Sequence, residues 1–60
     1  MDKIDREEIE RLIDDLEEKI REAKQLEKEY EEARAWGMKG ACMESWRSYQ
    51  YCVDRLKELL

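Results

Sequence analysis

The sequence predicts an all-α protein, a helical hairpin whose copies assemble into a homo-oligomeric bundle. Apolar residues recur at helical spacing along most of the 60 residues, and the two glycines lie close together in the second half. These observations predict two helices joined by a short turn, in one domain, because 60 residues supply at most one small core. The two predicted helices differ in length, and this difference predicts the assembly.

The first helix is predicted over residues 2–36, where neither Gly nor Pro interrupts a run rich in good helix formers. Asp2 or Asp5 can cap its start. Its apolar residues follow one another mostly three or four positions apart: Ile4, Ile9, Leu12, Ile13, Leu16, Ile20, Ala23, Leu26, Tyr30 and Ala33. A break near Asp14, giving a three-helix bundle, is the less favoured alternative.

The turn is predicted at residues 37–40, where Gly37 fits the left-handed position that often follows a helix. The second helix is predicted over residues 41–60. Its apolar residues alternate four and three positions apart, which is the spacing of a heptad seam. They are Cys42, Trp46, Tyr49, Val53, Leu56 and Leu60.

The predicted arms are unequal, and the longer one carries an apolar overhang. With the turn centred between Met38 and Lys39, Leu60 lies level with Glu17, and the first helix extends about 16 residues further, or ~24 Å. Five predicted oligomer-interface residues lie there: Ile4, Ile9, Leu12, Ile13 and Leu16. An exposed apolar stripe marks an interface, so we expect an antiparallel dimer forming a four-helix bundle, or a tetramer of hairpins.

Composition narrows the function. The 17 acidic and 12 basic residues give a net charge of −5, which argues against nucleic acid as a partner. No apolar run reaches the ~18 residues of a membrane span, and no signal-peptide pattern is present, so the expected compartment is the cytoplasm. Cys42 and Cys52 lie ten positions apart on one predicted helix, too far for a disulfide, and we expect two reduced thiols.

Catalytic constellations are missing from the sequence. The chain has no His, the commonest general base, and neither Ser45 nor Ser48 has a His or Lys partner in a triad-like pattern. Adjacent acidic residues, such as Asp14 and Asp15, point in different directions on a helix. We therefore expect a protein that is not an enzyme and that has no metal or cofactor.

Aromatic and basic residues concentrate around the predicted turn. All five aromatic residues lie between positions 30 and 51, and residues 36–60 carry a net charge of +1 against −6 for residues 1–35. The predicted ligand-binding residues are Trp36, Lys39, Gly40, Met43, Arg47, Tyr49 and Tyr51. Trp46 and Tyr49 lie on the heptad seam and Tyr30 on the stripe of the first helix, so core packing is the favoured interpretation for all three, and Tyr49 is also kept as a ligand candidate.

The plan of the chain resembles small acidic helical-hairpin proteins encoded by phages and mobile elements. Residues 26–36, the segment Gly37-Met38-Lys39-Gly40, and residues 46–60 carry this resemblance. It implies a cytoplasmic viral protein that is a dimerising regulator, an inhibitor of a host protein, or an oligomer that binds cyclic nucleotides between subunits.

Three functions follow as expectations. In the first, a homo-oligomer sequesters a small anion such as a cyclic nucleotide: Trp36, Tyr49 or Tyr51 stacks on the base, while Lys39, Arg47 and the start of the second helix hold the phosphate. In the second, the chain is an inhibitor or adaptor that binds a host protein, with four anchor residues: Trp36, Met43, Arg47 and Tyr51. In the third, it is a structural or designed bundle without a ligand.

Overall fold

The computed structural model describes residues 5–60, which form two α-helices packed against each other as a hairpin. Helix α1 spans Arg6–Glu32 and helix α2 spans Trp36–Lys57. The prediction of an all-α hairpin is confirmed. Helix α1 continues without a break through Asp14, so the three-helix alternative is wrong. The predicted helical residues 2–4, including Ile4, lie outside the described part of the chain.

Asp5 caps the start of α1. Its side chain accepts a 3.3 Å hydrogen bond from the backbone N–H of Glu7, one of the groups that the helix itself leaves without a partner. Glu7 and Glu8 place negative charge in the first turn, where the positive end of the helix dipole favours it.

The turn lies at residues 33–35, and the prediction of a turn at residues 37–40 is wrong. Arg34 adopts the left-handed conformation, with φ of 59°. The Arg34 N–H donates to the carbonyl of Glu31 at 3.0 Å, and the Ala35 N–H donates to that of Tyr30 at 2.8 Å. This is the Schellman arrangement, in which a residue other than glycine occupies the position that glycine usually takes.

Gly37 and Gly40 both lie inside α2, and neither has a positive φ. A glycine within a helix costs only ~1 kcal/mol relative to alanine, and a left-handed arginine costs a similar amount. Packing between the two helices exceeds these local preferences. The glycine signal in the sequence therefore did not decide where the chain turns.

The earlier turn shifts α2 along α1 by about one helical turn. Trp46, predicted to lie level with Glu31, bonds to Glu27, and Lys57 lies 3.5 Å from Glu17. The buried core consists of Ile9, Ile13, Ile20, Ala23 and Val53, of which Val53 is completely buried. Leu16, Trp46, Tyr49 and Leu56 pack against it.

The shift also changes the burial of the residues that were expected to extend beyond the end of the second helix. Ile9 and Ile13 are each only 6% exposed in the single chain, so the expectation that one hairpin leaves them in water is wrong. Leu16 is half-buried against the core, because α2 reaches further along α1 than predicted. Among the described members of this set, Leu12 stays well exposed, at 48%.

Candidate interaction surfaces

The contact between the two helices has two sides, here called flanks. Polar contacts between side chains cover one of these flanks. This polar flank is centred on Trp46, whose indole Nε1–H donates a 2.6 Å hydrogen bond to Glu27 Oε1. The ammonium of Lys24 lies 4.6 Å from the centroid of the Trp46 ring, and the guanidinium of Arg47 lies 5.7 Å from it. These cations are attracted to the electron-rich face of the ring, so the Lys24 and Arg47 side chains cover Trp46 on this flank.

Lys39 extends the polar flank toward the turn. Its Nζ lies 2.9 Å from Glu31 Oε1 on α1 and 5.6 Å from the centroid of the Trp36 ring. The Lys39 side chain is about one quarter exposed. Its positive charge is therefore already matched by a carboxylate of the same chain, which lowers its attraction for an external phosphate.

Five of the seven predicted ligand-binding residues share one side of α2. Their spacing of four, three, four and four residues places them along one strip of the helix surface. They are Trp36, Gly40, Met43, Arg47 and Tyr51. Trp36 and Tyr51 are 60% and 66% exposed, so this strip presents two aromatic side chains to solvent.

The other two predicted residues do not complete a pocket with this strip. Lys39 belongs to the polar flank, and Tyr49 packs against the core and faces the opposite flank. The predicted anion site at the start of the second helix also changes place. Helix α2 begins at Trp36, after an Ala35 N-cap that makes no side-chain hydrogen bond, and Gly40 lies one turn inside the helix.

The opposite flank holds an open groove of about 370 Å³, here called the groove flank. Its lining comes from both helices: Lys19, Glu22, Ala23, Leu26, Tyr30, Met38, Ala41, Cys42, Ser45 and Tyr49. Leu26 and Met38 are 45% and 52% exposed. Leu12 lies 14 positions before Leu26 on a similar side of α1, but charged residues, among them Asp15, Lys19 and Glu22, line the surface between them.

The sequence reasoning missed Leu26 and Met38 as surface residues. The sequence pattern predicts Leu26 on the buried stripe of the first helix and Met38 in the turn. Two signals were present in the sequence, namely the Leu12–Leu26 heptad spacing and the spacing of Met38, Ala41 and Ser45. They point to one surface only when the turn lies at residues 33–35.

In residues 5–60, no group of three or more His, Cys, Asp or Glu side chains is placed to hold a metal ion. No helix in this part of the chain is long and apolar enough to cross a membrane. Cys42 is half-buried in the groove flank, Cys52 is exposed, and both thiols are free.

Comparison of the chain with protein-family models, with curated proteins and with solved structures finds no match. The functional interpretation therefore depends on the geometry of this chain. It is a two-helix hairpin with a polar flank, an apolar groove flank and an exposed aromatic strip on α2.

Proposed function

We propose that the protein is a non-enzymatic binding protein that self-associates into a helical bundle and presents the aromatic strip of α2 to a protein partner. The observation that carries this proposal is the exposure of Trp36 and Tyr51 on the side of α2 that also bears Arg47. Tryptophan, tyrosine and arginine are the residues that most often anchor protein interfaces. The strip therefore suits an adaptor or an inhibitor of another protein.

Self-association is part of the proposal because a two-helix hairpin buries few side chains. Below about 70 residues, a single core seldom supplies more than ~3–5 kcal/mol of stability, and oligomerisation is a common supplement. An antiparallel dimer forming a four-helix bundle is the simplest assembly, and a tetramer of hairpins follows the same logic.

A small ligand is the second candidate, supported by the size of the groove. Its volume of about 370 Å³ lies within the ~300–1,000 Å³ typical of small-molecule sites, and Tyr30 and Tyr49 supply aromatic lining. An anion such as a cyclic nucleotide would meet one lining cation, Lys19, with the carboxylate of Glu22 one turn away. The groove therefore supports a planar, weakly charged ligand better than an anion, and the aromatic strip supports a protein partner better than either.

Capture from an extract of the source cell tests the protein partner. Immobilised wild-type protein should retain a specific protein, and a Trp36→Ala/Tyr51→Ala variant should retain at least ten-fold less of it. The matched control is Gln25→Ala/Lys28→Ala, which changes two exposed residues of α1. Circular dichroism shows whether each variant keeps its helices. Equal capture by the strip variant and the control would contradict the proposal.

Native mass spectrometry of gently purified protein tests self-association and the ligand candidate together. We expect masses at multiples of the 7.4 kDa chain without added mass. An extra few hundred daltons per copy would make the ligand candidate the leading one. A monomer alone, at concentrations up to ~1 mM, would overturn self-association. A clean oligomer that captures no partner would leave a structural bundle.

A further inference from the structure

The facing seams of the two helices repeat every seven residues, so they match in more than one register. The seam of α1 consists of buried or half-buried residues spaced alternately four and three apart: Ile9, Ile13, Leu16, Ile20, Ala23, Glu27 and Tyr30. The seam of α2 has the same alternation: Lys39, Cys42, Trp46, Tyr49, Val53 and Leu56. Counted outward from the turn at residues 33–35, Ile13 lies opposite Leu56, which packs against the same core. Sliding one helix by seven residues places Ile20 opposite Leu56 and keeps both seams matched; this arrangement is here called the shifted register.

The shifted register moves the turn to residues 37–40, and the local preferences of the chain favour a turn there. Arg34 has a φ of 59°, which disfavours a residue with a side chain and suits glycine. Gly37 and Gly40 lie inside α2, where an added Cβ meets no atom within 4 Å, so no contact within the described chain requires glycine at either position. Helix α2 begins after Ala35, which makes no side-chain cap, whereas glycine is an accepted residue at the start of a helix.

Two sets of contacts favour the register of the structure instead. Ile9 and Ile13 are each 6% exposed there, and the shifted register leaves both beyond the end of α2. The polar flank is also specific to one register. Lys57 lies 3.5 Å from Glu17, whereas the residue seven positions after Glu17 is Lys24, which carries the same charge as Lys57. Packing and charge therefore oppose the local preferences, which makes the shifted register the less populated one.

We propose that the hairpin exchanges between these two registers and that only the register of the structure assembles the aromatic strip. In the shifted register, α1 continues through Trp36, and Gly37 takes the left-handed position. Trp36 then belongs to α1 while Arg47 and Tyr51 stay on α2, so the three no longer lie along one helix.

The exchange regulates the strip that the proposed function assigns to a protein partner, and this consequence rests on that proposed function. A minor conformation of this kind typically accounts for roughly 0.1–10% of the molecules, and a ligand that binds one conformation shifts the population toward it. A partner that contacts Trp36 and Tyr51 together therefore draws the hairpin into the register of the structure. The exchange itself does not depend on the partner.

Distances between two spin labels report the register. One label is attached to Cys52, which is exposed on α2, and Cys42 is replaced by serine. The other label is attached to a cysteine that replaces either Lys28 or Arg11, both exposed on α1. Cys52 lies level with a point between these two α1 positions, so sliding shortens the distance to position 28 and lengthens the distance to position 11, each by up to ~10 Å. Dilution with unlabelled protein removes distances between copies.

Two variants that differ only at position 34 test the exchange. Both carry Lys57→Glu, which repels Glu17 in the register of the structure and attracts Lys24 in the shifted register. One adds Arg34→Val, whose branched side chain suits the left-handed conformation poorly, and the control adds Arg34→Gly, which suits it well. We expect the shifted distances in a fraction of molecules about five-fold higher, or more, with valine than with glycine. Lys57→Glu alone should give an intermediate fraction.

Each outcome decides one part of the inference. All these variants keep the core residues, and circular dichroism checks their helix content. Distances that are the same in every variant overturn the exchange and leave the proposed function intact. If the distances do shift, Arg34→Val/Lys57→Glu should capture less of the partner than its glycine control, and equal capture overturns the regulation of the strip. Wild-type protein that captures no partner overturns the proposed function, while the distances still decide the exchange.

Discussion

The indole nitrogen of Trp46 and the carboxylate of Glu27 form a 2.6 Å hydrogen bond that joins the two helices near the middle of their contact. Both residues are half-buried, and Lys24 lies over the ring face. The bond lies between the core residue Val53 and the turn, on the side of α2 that faces α1. Because it joins one specific donor to one specific acceptor, it helps to define the register of the hairpin.

Replacing Trp46 with phenylalanine should lower the free energy of unfolding by about 1–2 kcal/mol. The change keeps an aromatic ring but removes the donor to Glu27, and a hydrogen bond to a charged group contributes ~1.5–3 kcal/mol when well shielded. Half-burial puts the expected value toward the lower end. Urea unfolding followed by circular dichroism measures it.

The control is Trp36→Phe, because Trp36 is 60% exposed. We expect a change below ~0.5 kcal/mol at that position. Equal losses for the two tryptophan variants would show that the Trp46–Glu27 bond contributes nothing to stability.

Replacing Arg34 with glycine should raise the free energy of unfolding by about 1 kcal/mol. Arg34 has a φ of 59°, a conformation that costs ~1–2 kcal/mol for residues with a side chain and almost nothing for glycine. The greater freedom of glycine in the unfolded chain offsets part of the gain. Arg21→Gly, inside α1, should lose about 1 kcal/mol, so the same change gives opposite signs at two exposed positions. Loss of stability at both would argue against the left-handed turn.

Replacing Gly40 with alanine should stabilise the protein by about 0.5–1 kcal/mol. Gly40 lies within α2, and a Cβ added there meets no atom within 4 Å. Thermal or urea unfolding of Gly40→Ala at matched concentrations measures the gain. Gly37→Ala separates the two turn positions, because alanine would lower the stability if Gly37 were the left-handed residue of a turn at residues 37–40, whereas within α2 an added Cβ meets no atom within 4 Å.

Replacing Ile13 with alanine should cost about 2–4 kcal/mol, because the isoleucine is 6% exposed within the single hairpin. The loss should persist at protein concentrations where only monomer is present. If this variant does not fold, Ile13→Val should still lose about 0.5–1.5 kcal/mol. Leu12→Ala, at a 48% exposed position next to it, should cost under ~1 kcal/mol in the monomer. An effect of Ile13→Val that vanishes on dilution would place Ile13 at an interface between copies.

The sequence by itself determined that the chain forms helices and which residues of α2 face α1. Helical spacing and the lack of Pro predict α1 and α2, and four members of the predicted seam lie in or against the core: Trp46, Tyr49, Val53 and Leu56. The same spacing places Arg47 and Tyr51 outside the seam, and Tyr51 is 66% exposed in the structure.

Only the tertiary structure decided the turn, the register and therefore the groove flank. The choice between Arg34 and Gly37 as the left-handed residue involves ~1 kcal/mol of local preference, while burial of a side chain such as Ile13, which a turn at residues 37–40 would leave beyond the end of α2, contributes ~1.5–3 kcal/mol. Packing therefore moved the turn and buried Ile9 and Ile13. The groove has walls from both helices, so its residues share a surface only in the register that packing selects.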